Sequence, residues 1–197
     1  MEYHEFKGKH IGQKILVCGC GESAKLIGRI PSDKMPVTIG VNDICRLFTP
    51  SYLVVLNDKV GFNEDRWKWI KESSAPYCFT QIPSLKTASP KVIVKLGRYG
   101  SFDFESGKVD YTTNSPYVAC LIAAYMGAAE IGLLGVDFTD NHFFANTGQH
   151  HLTRRLPSIR SEYKKLQAAF ADKKIRLVNL SPVSQIGLEY VDIEQFI

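Results

Sequence analysis

The feature that most constrains this chain is an apolar run that ends abruptly in a pair of glycines, Lys14-Ile-Leu-Val-Cys-Gly19-Cys20-Gly21-Glu22-Ser23-Ala24. A continuous apolar run over 15–18 suits a strand covered on both faces, as in a parallel sheet. The Gly-x-Gly turn lets the backbone bend sharply and approach a ligand closely, and a helix-compatible segment follows at once. A helix starting there aims unpaired N–H groups and the positive end of its dipole at the turn, which suits a phosphorylated nucleotide. The segment therefore predicts a nucleotide or nucleotide-sugar site at the edge of a parallel α/β sheet.

The same alternation continues to the end of the chain. Residues 22–29 read as a short helix stopped by Pro31, 37–41 and 52–56 as strands, and 63–72 as a helix carrying Trp67 and Ile70 at helical spacing. Trp67 and Trp69 point apart on that helix, one to the core and the other to its rim. Residues 77–80 and 92–96 are short and β-rich. Ser115-Pro116 gives a cap and a first-turn proline to a nearly all-apolar, hence buried, helix that ends before Gly127. Residues 131–135 form another buried strand, stopping at Asp137. An amphipathic helix over 157–172 buries Ile159, Tyr163, Leu166 and Phe170, and 175–180 is the last strand. With no repeat or low-complexity linker in 197 residues, the pattern predicts one Rossmann-like domain over 1–197, a three-layer α/β/α sandwich with a mostly parallel sheet. Residues 1–13 are a lead-in. Residues 138–156 lack an apolar period and read as a long active-site loop.

Composition narrows the partners. A net charge of +4 without any long Lys/Arg block carries no strong nucleic-acid signal and supports only a mild bias toward anionic ligands. The five cysteines (Cys18, Cys20, Cys45, Cys78 and Cys120) are odd in number and lie largely in apolar runs, so they read as buried thiols of a reducing, cytoplasmic protein. The N-terminus lacks a signal-peptide pattern, and no apolar run approaches the roughly 20 residues needed to span a bilayer.

In open parallel sheets ligands bind beyond the carboxyl ends of the strands. The residues that follow each strand here are Gly19-Cys20-Gly21-Glu22-Ser23, Asn42-Asp43, Asn57-Asp58 and Gly135-Val136-Asp137, with Asn114-Ser115 opening the buried helix. Amide side chains both donate and accept, so they can read a base edge or a ribose hydroxyl. Gly19 to Ala24 also matches the dinucleotide fingerprint, with Asp43 near the place of its ribose-binding acid. Asp43, however, follows Asn42 in a turn, and the chain leaves little room for a second substrate domain. A metal cluster of Asp137, Asp140, His142 and His150 is the remaining reading of this region, with nothing in the spacing to fix its geometry.

The ordered series Val-Cys-Gly19-Cys20-Gly21-Glu22-Ser23, Gly-Val-Asn42-Asp43 and Val-Leu-Asn57-Asp58 resembles two related groups, over roughly residues 14 to 190 apart from 84–113 and the loop after Asp137. One is the bacterial lipooligosaccharide sialyltransferase family. The other comprises the archaeal-type hydroxymethylpterin diphosphokinases and motility accessory factors. The stretch from Asn114-Ser115 to Gly135-Val-Asp137-Phe and the closing Ser181-Pro182-Val-Ser184 are similar to the sialyltransferases as well. The resemblance implies a transferase using a phosphorylated nucleotide donor, most simply a CMP-linked nucleotide sugar, and a hydroxyl acceptor. Gly19, Cys20, Gly21, Glu22 and Ser23 would then meet the donor's phosphate region, and Asn42, Asn57, Asn114, Ser115, Gly135 and Asp137 the nucleotide or transferred group. Glu22 stands where the family has proline, and Thr139, Phe144 and Ala145 occupy the region of its phosphate-binding tyrosines.

The family's general base is a loop histidine, which the resemblance carries to His150 or His151; an imidazole titrates near neutral pH and can take a hydroxyl proton. Arg154 and Arg155 would neutralise the leaving phosphate. No tightly bound cofactor is implied for glycosyl transfer. A pterin-type diphosphokinase, the alternative enzyme, would need Mg²⁺, with Asp58 and Asp137 as its best ligands. A non-catalytic nucleotide-binding module is the third reading, and self-association is left open.

Overall fold

The computed structural model describes residues 1–139, 141–146 and 151–197, apart from the side chains of 146, 151 and 153. The chain begins β1 (Lys14–Cys18), β2 (Val37–Val41), β3 (Tyr52–Val54), α1 (Glu64–Lys71), β4 (Cys78–Thr80), β5 (Lys91–Ile93), β6 (Leu96–Tyr99) and β7 (Val109–Tyr111). It continues α2 (Ser115–Tyr125), β8 (Glu130–Leu134), β9 (Asn141–His142), β10 (Ala145–Asn146), α3 (Leu156–Asp172), β11 (Arg176–Asn179) and α4 (Ile193–Phe196). Seven strands form one parallel sheet in the order β11-β8-β1-β2-β3-β4-β5. The fold is the Rossmann-like α/β sandwich expected from the strand–helix alternation.

The period of two along β1 builds both layers of core. Ile15 and Val17 pack with α2 and α3 on one face, while Leu16 and Cys18 pack with Trp67 and Ile70 of α1 and Phe196 of α4 on the other. Apart from Pro116, every residue of α2 is buried, as its apolar sequence requires. Tyr117 meets Tyr163 of α3 edge-on at 5.8 Å between ring centres. Trp67 is core and Trp69 half-buried. The lead-in is also used: Tyr3 stacks on Tyr125 at 4.4 Å, and Phe6 meets Phe79 at 4.9 Å. All five cysteines are free thiols. Among the described residues no helix is long and apolar enough to cross a membrane.

Local form differs from the sequence expectation in three places. Residues 22–29 form a 3-10 helix rather than an α-helix, because the buried side chains Ala24, Ile27 and Ile30 recur every third residue. The stretch 92–96 divides into β5, which joins the main sheet, and β6, which pairs with β7 in a separate two-stranded sheet. The expected loop 138–156 carries the β9–β10 hairpin and a 3-10 turn at His151–Arg155. Phe143 and the bridge between Gly21 and His142 fasten that hairpin against the glycine turn.

Candidate functional site

From β1 the chain steps through β2 to β5 on one side, while β8 and β11 lie on the other, so the connections diverge above β1. A cleft of about 160 Å³ opens there, at the carboxyl ends of β1, β2, β3 and β8. It is lined by the turn after β1, by Asn42, Asn57 and Asn114-Ser115, by residues 135–139 after β8, by Asn141 and His142, and by Gly61, Phe62 and Arg66. Of the sequence-predicted residues, Gly19, Cys20, Gly21, Asn42, Asn57, Asn114, Ser115, Gly135 and Asp137 meet in this cleft.

The floor is a closed lock. Gly19 donates its amide to Leu134 O and Gly21 to Gly135 O, both at 2.7 Å. A Cβ on Gly19 would lie 2.3 Å from Gly135 O, and one on Gly135 would lie 2.5 Å from Gly19 O. Gly135 also has φ +69°, where only glycine sits without strain. The glycines are thus required by the close passage of two strand ends, in addition to any ligand. Ser23 completes the lock: its amide and hydroxyl donate to the Asp137 carboxylate at 2.8 and 2.6 Å, and its oxygen accepts the Gly135 amide at 2.9 Å.

These bonds correct several sequence expectations. The Gly21 and Ser23 amides assigned to a phosphate are spent within the protein. Asp137 is 2% exposed and held twice by Ser23, so it is the carboxylate that fills the amide cradle, and not a metal ligand in waiting. Glu22 is exposed and accepts from Asn141 Nδ2 at 3.3 Å, so it points away from the turn. Asp58 caps the turn at Lys59–Gly61 by accepting from the Lys59 amide. Asp43, placed by the dinucleotide fingerprint on a ribose, is fully buried and paired with Arg66.

The walls, in contrast, carry unused polarity. Asn42 sits at φ +54°, a left-handed turn that asparagine tolerates, and its Oδ1 is buried without a hydrogen-bond partner. Asn114 is at the N-cap of α2 yet makes no side-chain cap bond, and its Nδ2 is unpartnered. Thr139 Oγ1 and Asn141 Oδ1 complete a set of four such atoms among the cleft's described residues. Beside Asn114 lies the Tyr163 hydroxyl, whose pKa burial raises well above the usual tyrosine value. Burial also raises the Cys20 thiol, with Asp43 adding to the effect, so Cys20 stays protonated and unreactive.

Arg66 and His142 are what sequence reasoning missed or misassigned. Asn63 caps α1 by accepting the Arg66 amide at 2.9 Å, which fixes Arg66 in the first turn of the helix over the cleft. Its Nε and Nη2 both donate to Asp43 Oδ1, at 2.9 and 2.5 Å. The His142 ring, weighed as a metal ligand, lines the same wall. Burial and the nearby Arg66 charge hold its pKa below the usual histidine value, against the opposite pull of Asp43. An asparagine three residues ahead of Arg66 is the sequence signal that could have placed this arginine in the first turn of a helix.

The expected catalytic loop is partly outside the cleft. His150 and Asp140 lie outside the described residues, and of His151 only the backbone is described, at the head of a 3-10 turn. Arg154 is exposed. Arg155 braces the rim, donating to Thr113 Oγ1 at 2.8 Å and to the Tyr99 hydroxyl at 2.7 Å. Thr113 itself lines the cleft.

No protein-family model matches this chain, and no curated protein matches it either. Several solved structures share its fold. The sialyltransferase CST-II in complex with a trisaccharide acceptor and CMP is 18% identical, with 90% of this chain and 86% of that one covered at a TM-score of 0.54. CstII from Campylobacter jejuni in complex with cytidine-5'-monophosphate is 15% identical, with 91% and 85% covered and a TM-score of 0.52. The MAf glycosyltransferase from Magnetospirillum magneticum AMB-1 is 11% identical with a TM-score of 0.50; 98% of this chain covers 39% of that protein. At such identities the likeness is one of architecture, and it agrees with the Rossmann-like fold read from the sequence.

Proposed function

We propose that this chain is a glycosyltransferase-like protein that takes a CMP-linked nucleotide sugar in the cleft above β1 and transfers the sugar to a hydroxyl acceptor. The observation that carries the reading is the set of unpartnered polar atoms on Asn42, Asn114, Thr139 and Asn141. A buried donor or acceptor left unmatched costs about 1–3 kcal/mol, so four around one cleft mark where a polar ligand belongs. Amide and hydroxyl groups suit a nucleoside, and the CMP-bound proteins of the same fold support that class of donor.

In the transfer, the acceptor oxygen bonds to the anomeric carbon as the bond from that carbon to the phosphate oxygen breaks, and CMP departs with the electron pair. The acceptor proton goes to an imidazole. His150 and His151 remain the candidates implied by the family resemblance. His142 joins them, because a cleft-lining ring with a depressed pKa is neutral at pH 7 and able to accept a proton. Asp58 and Asp137 already serve a turn cap and the Ser23 lock, which disfavours the Mg²⁺-dependent diphosphokinase.

Thermal unfolding with CMP, UDP and ATP, each with and without Mg²⁺, tests the reading. CMP at saturating concentration raises Tm by several degrees without metal, because ligand bound only to the folded state stabilises it. Stabilisation by ATP with Mg²⁺ alone would favour the diphosphokinase instead. If no nucleotide moves Tm, the donor cleft is misassigned. Should transfer be measured, separate replacement of His142, His150 and His151 identifies the base.

A further inference from the structure

We infer that Arg66, held from behind by Asp43, is the residue that recognises the oxyanion of the donor. Among the described residues lining the cleft, Arg66 is the one side chain of fixed positive charge. The Asp43 carboxylate is fully buried, whereas the Arg66 side chain is 20% exposed, so the ion pair presents its positive end to the cleft. The clamp uses Nε and Nη2 on a single carboxylate oxygen, leaving Nη1 outside it. The guanidinium carbon lies over the Phe62 and Phe144 rings, 5.3 and 5.9 Å from their centres, so two aromatic rings help to hold the cation in place. An arginine edge fixed in this way matches phosphate or carboxylate geometry, and its rotamer entropy is already lost before the ligand arrives.

The alternative anion sites are taken. The Gly21 and Ser23 amides point inward, and Asp137 would repel an anion placed at the turn. Arg155 is engaged at the rim by Thr113 and Tyr99. The inference rests on the nucleotide-donor reading and adds to it where the negative charge sits. A nucleotide-sugar donor offers two oxyanions, the phosphate and, for an acidic sugar, the carboxylate.

Calorimetric titration of cytidine, CMP and a non-transferable CMP-linked acidic sugar into wild type and Arg66→Gln separates the outcomes. Loss of about tenfold or more in CMP affinity, with cytidine affinity unchanged, places the phosphate on Arg66. A loss confined to the CMP-linked sugar places its carboxylate there. Because Arg66→Gln leaves a buried carboxylate unpaired, the double variant Asp43→Asn/Arg66→Gln, which replaces the ion pair by neutral amides of similar size, is measured alongside. If both variants bind CMP and the CMP-linked sugar like wild type, the Arg66 assignment is overturned while the donor reading stands. If wild type binds none of the three ligands, the donor reading itself fails and the inference falls with it.

Discussion

The Ser23 hydroxyl donates a hydrogen bond to Asp137 and accepts one from the Gly135 amide, joining residues more than a hundred positions apart. A serine after a glycine turn is legible in sequence as a ligand contact, because local pattern contains nothing about which distant carboxylate will fold against it. The two roles make different demands. Ser23→Ala leaves the Gly135 amide and a buried carboxylate oxygen without partners, so it lowers unfolding free energy by about 2–3 kcal/mol in denaturant titration. CMP affinity of the folded variant stays within about threefold of wild type, since the side chain does not reach the cleft. A large loss of CMP affinity at unchanged stability would restore the phosphate role. The asparagines fared differently: Asn42, Asn57 and Asn114 were visible as residues ending strands or opening helices, and chain topology alone brings strand ends to one rim.

At the scale of elements, α1 depends on its surroundings. Eight residues make barely two turns, too few for a helix to persist in water unaided. Its cap at Asn63, the buried faces of Trp67 and Ile70, and the Arg66–Asp43 pair hold it against the end of β2. Asp43→Asn keeps the shape and removes the charge, so amide hydrogen exchange over residues 64–71 speeds up about tenfold or more, while β1 and β8 keep their protection. Uniform acceleration across the sheet would mean that the pair stabilises the whole fold and not this helix. The hydrophobic periodicity announced α1 and α3, because each buries an apolar stripe, and the unbroken apolar run after Ser115-Pro116 announced α2, which is buried on every side. It did not announce the β9–β10 hairpin, whose short strands hold only two residues each. Nor did it reveal Arg66 as a pocket residue, because its partner lies 23 positions back in another element.

For the whole molecule, pH reports how much of the cleft wall is already ordered. Burial lowers the pKa of His142, and of His10 through the same cause, so the unfolded chain binds protons more readily than the folded one. The histidine contribution is therefore flat above neutrality, and it lowers stability as pH drops through the ordinary histidine value near 6.5 toward the folded values. Glu162 acts in the opposite sense, since burial raises its pKa and its contribution is lost as pH rises through that value. Denaturant midpoints measured between pH 7.5 and 5.5 fall for wild type, and His142→Asn flattens the slope. An unchanged slope would remove His142 from the buried wall. The parallel α/β layering and the buried helix were readable in advance, because each follows from apolar runs and their spacing; the strand order was not, since it depends on which distant strands pair. Which polar groups neutralise one another across the molecule was not. The lock of Gly19, Gly21, Ser23, Gly135 and Asp137 has one more consequence: it keeps the base of the cavity closed without help from the residues above it. A substitution at Asn42, Asn57 or Asn114 on the upper rim therefore alters what the cavity can hold while the foundation beneath it stays in place.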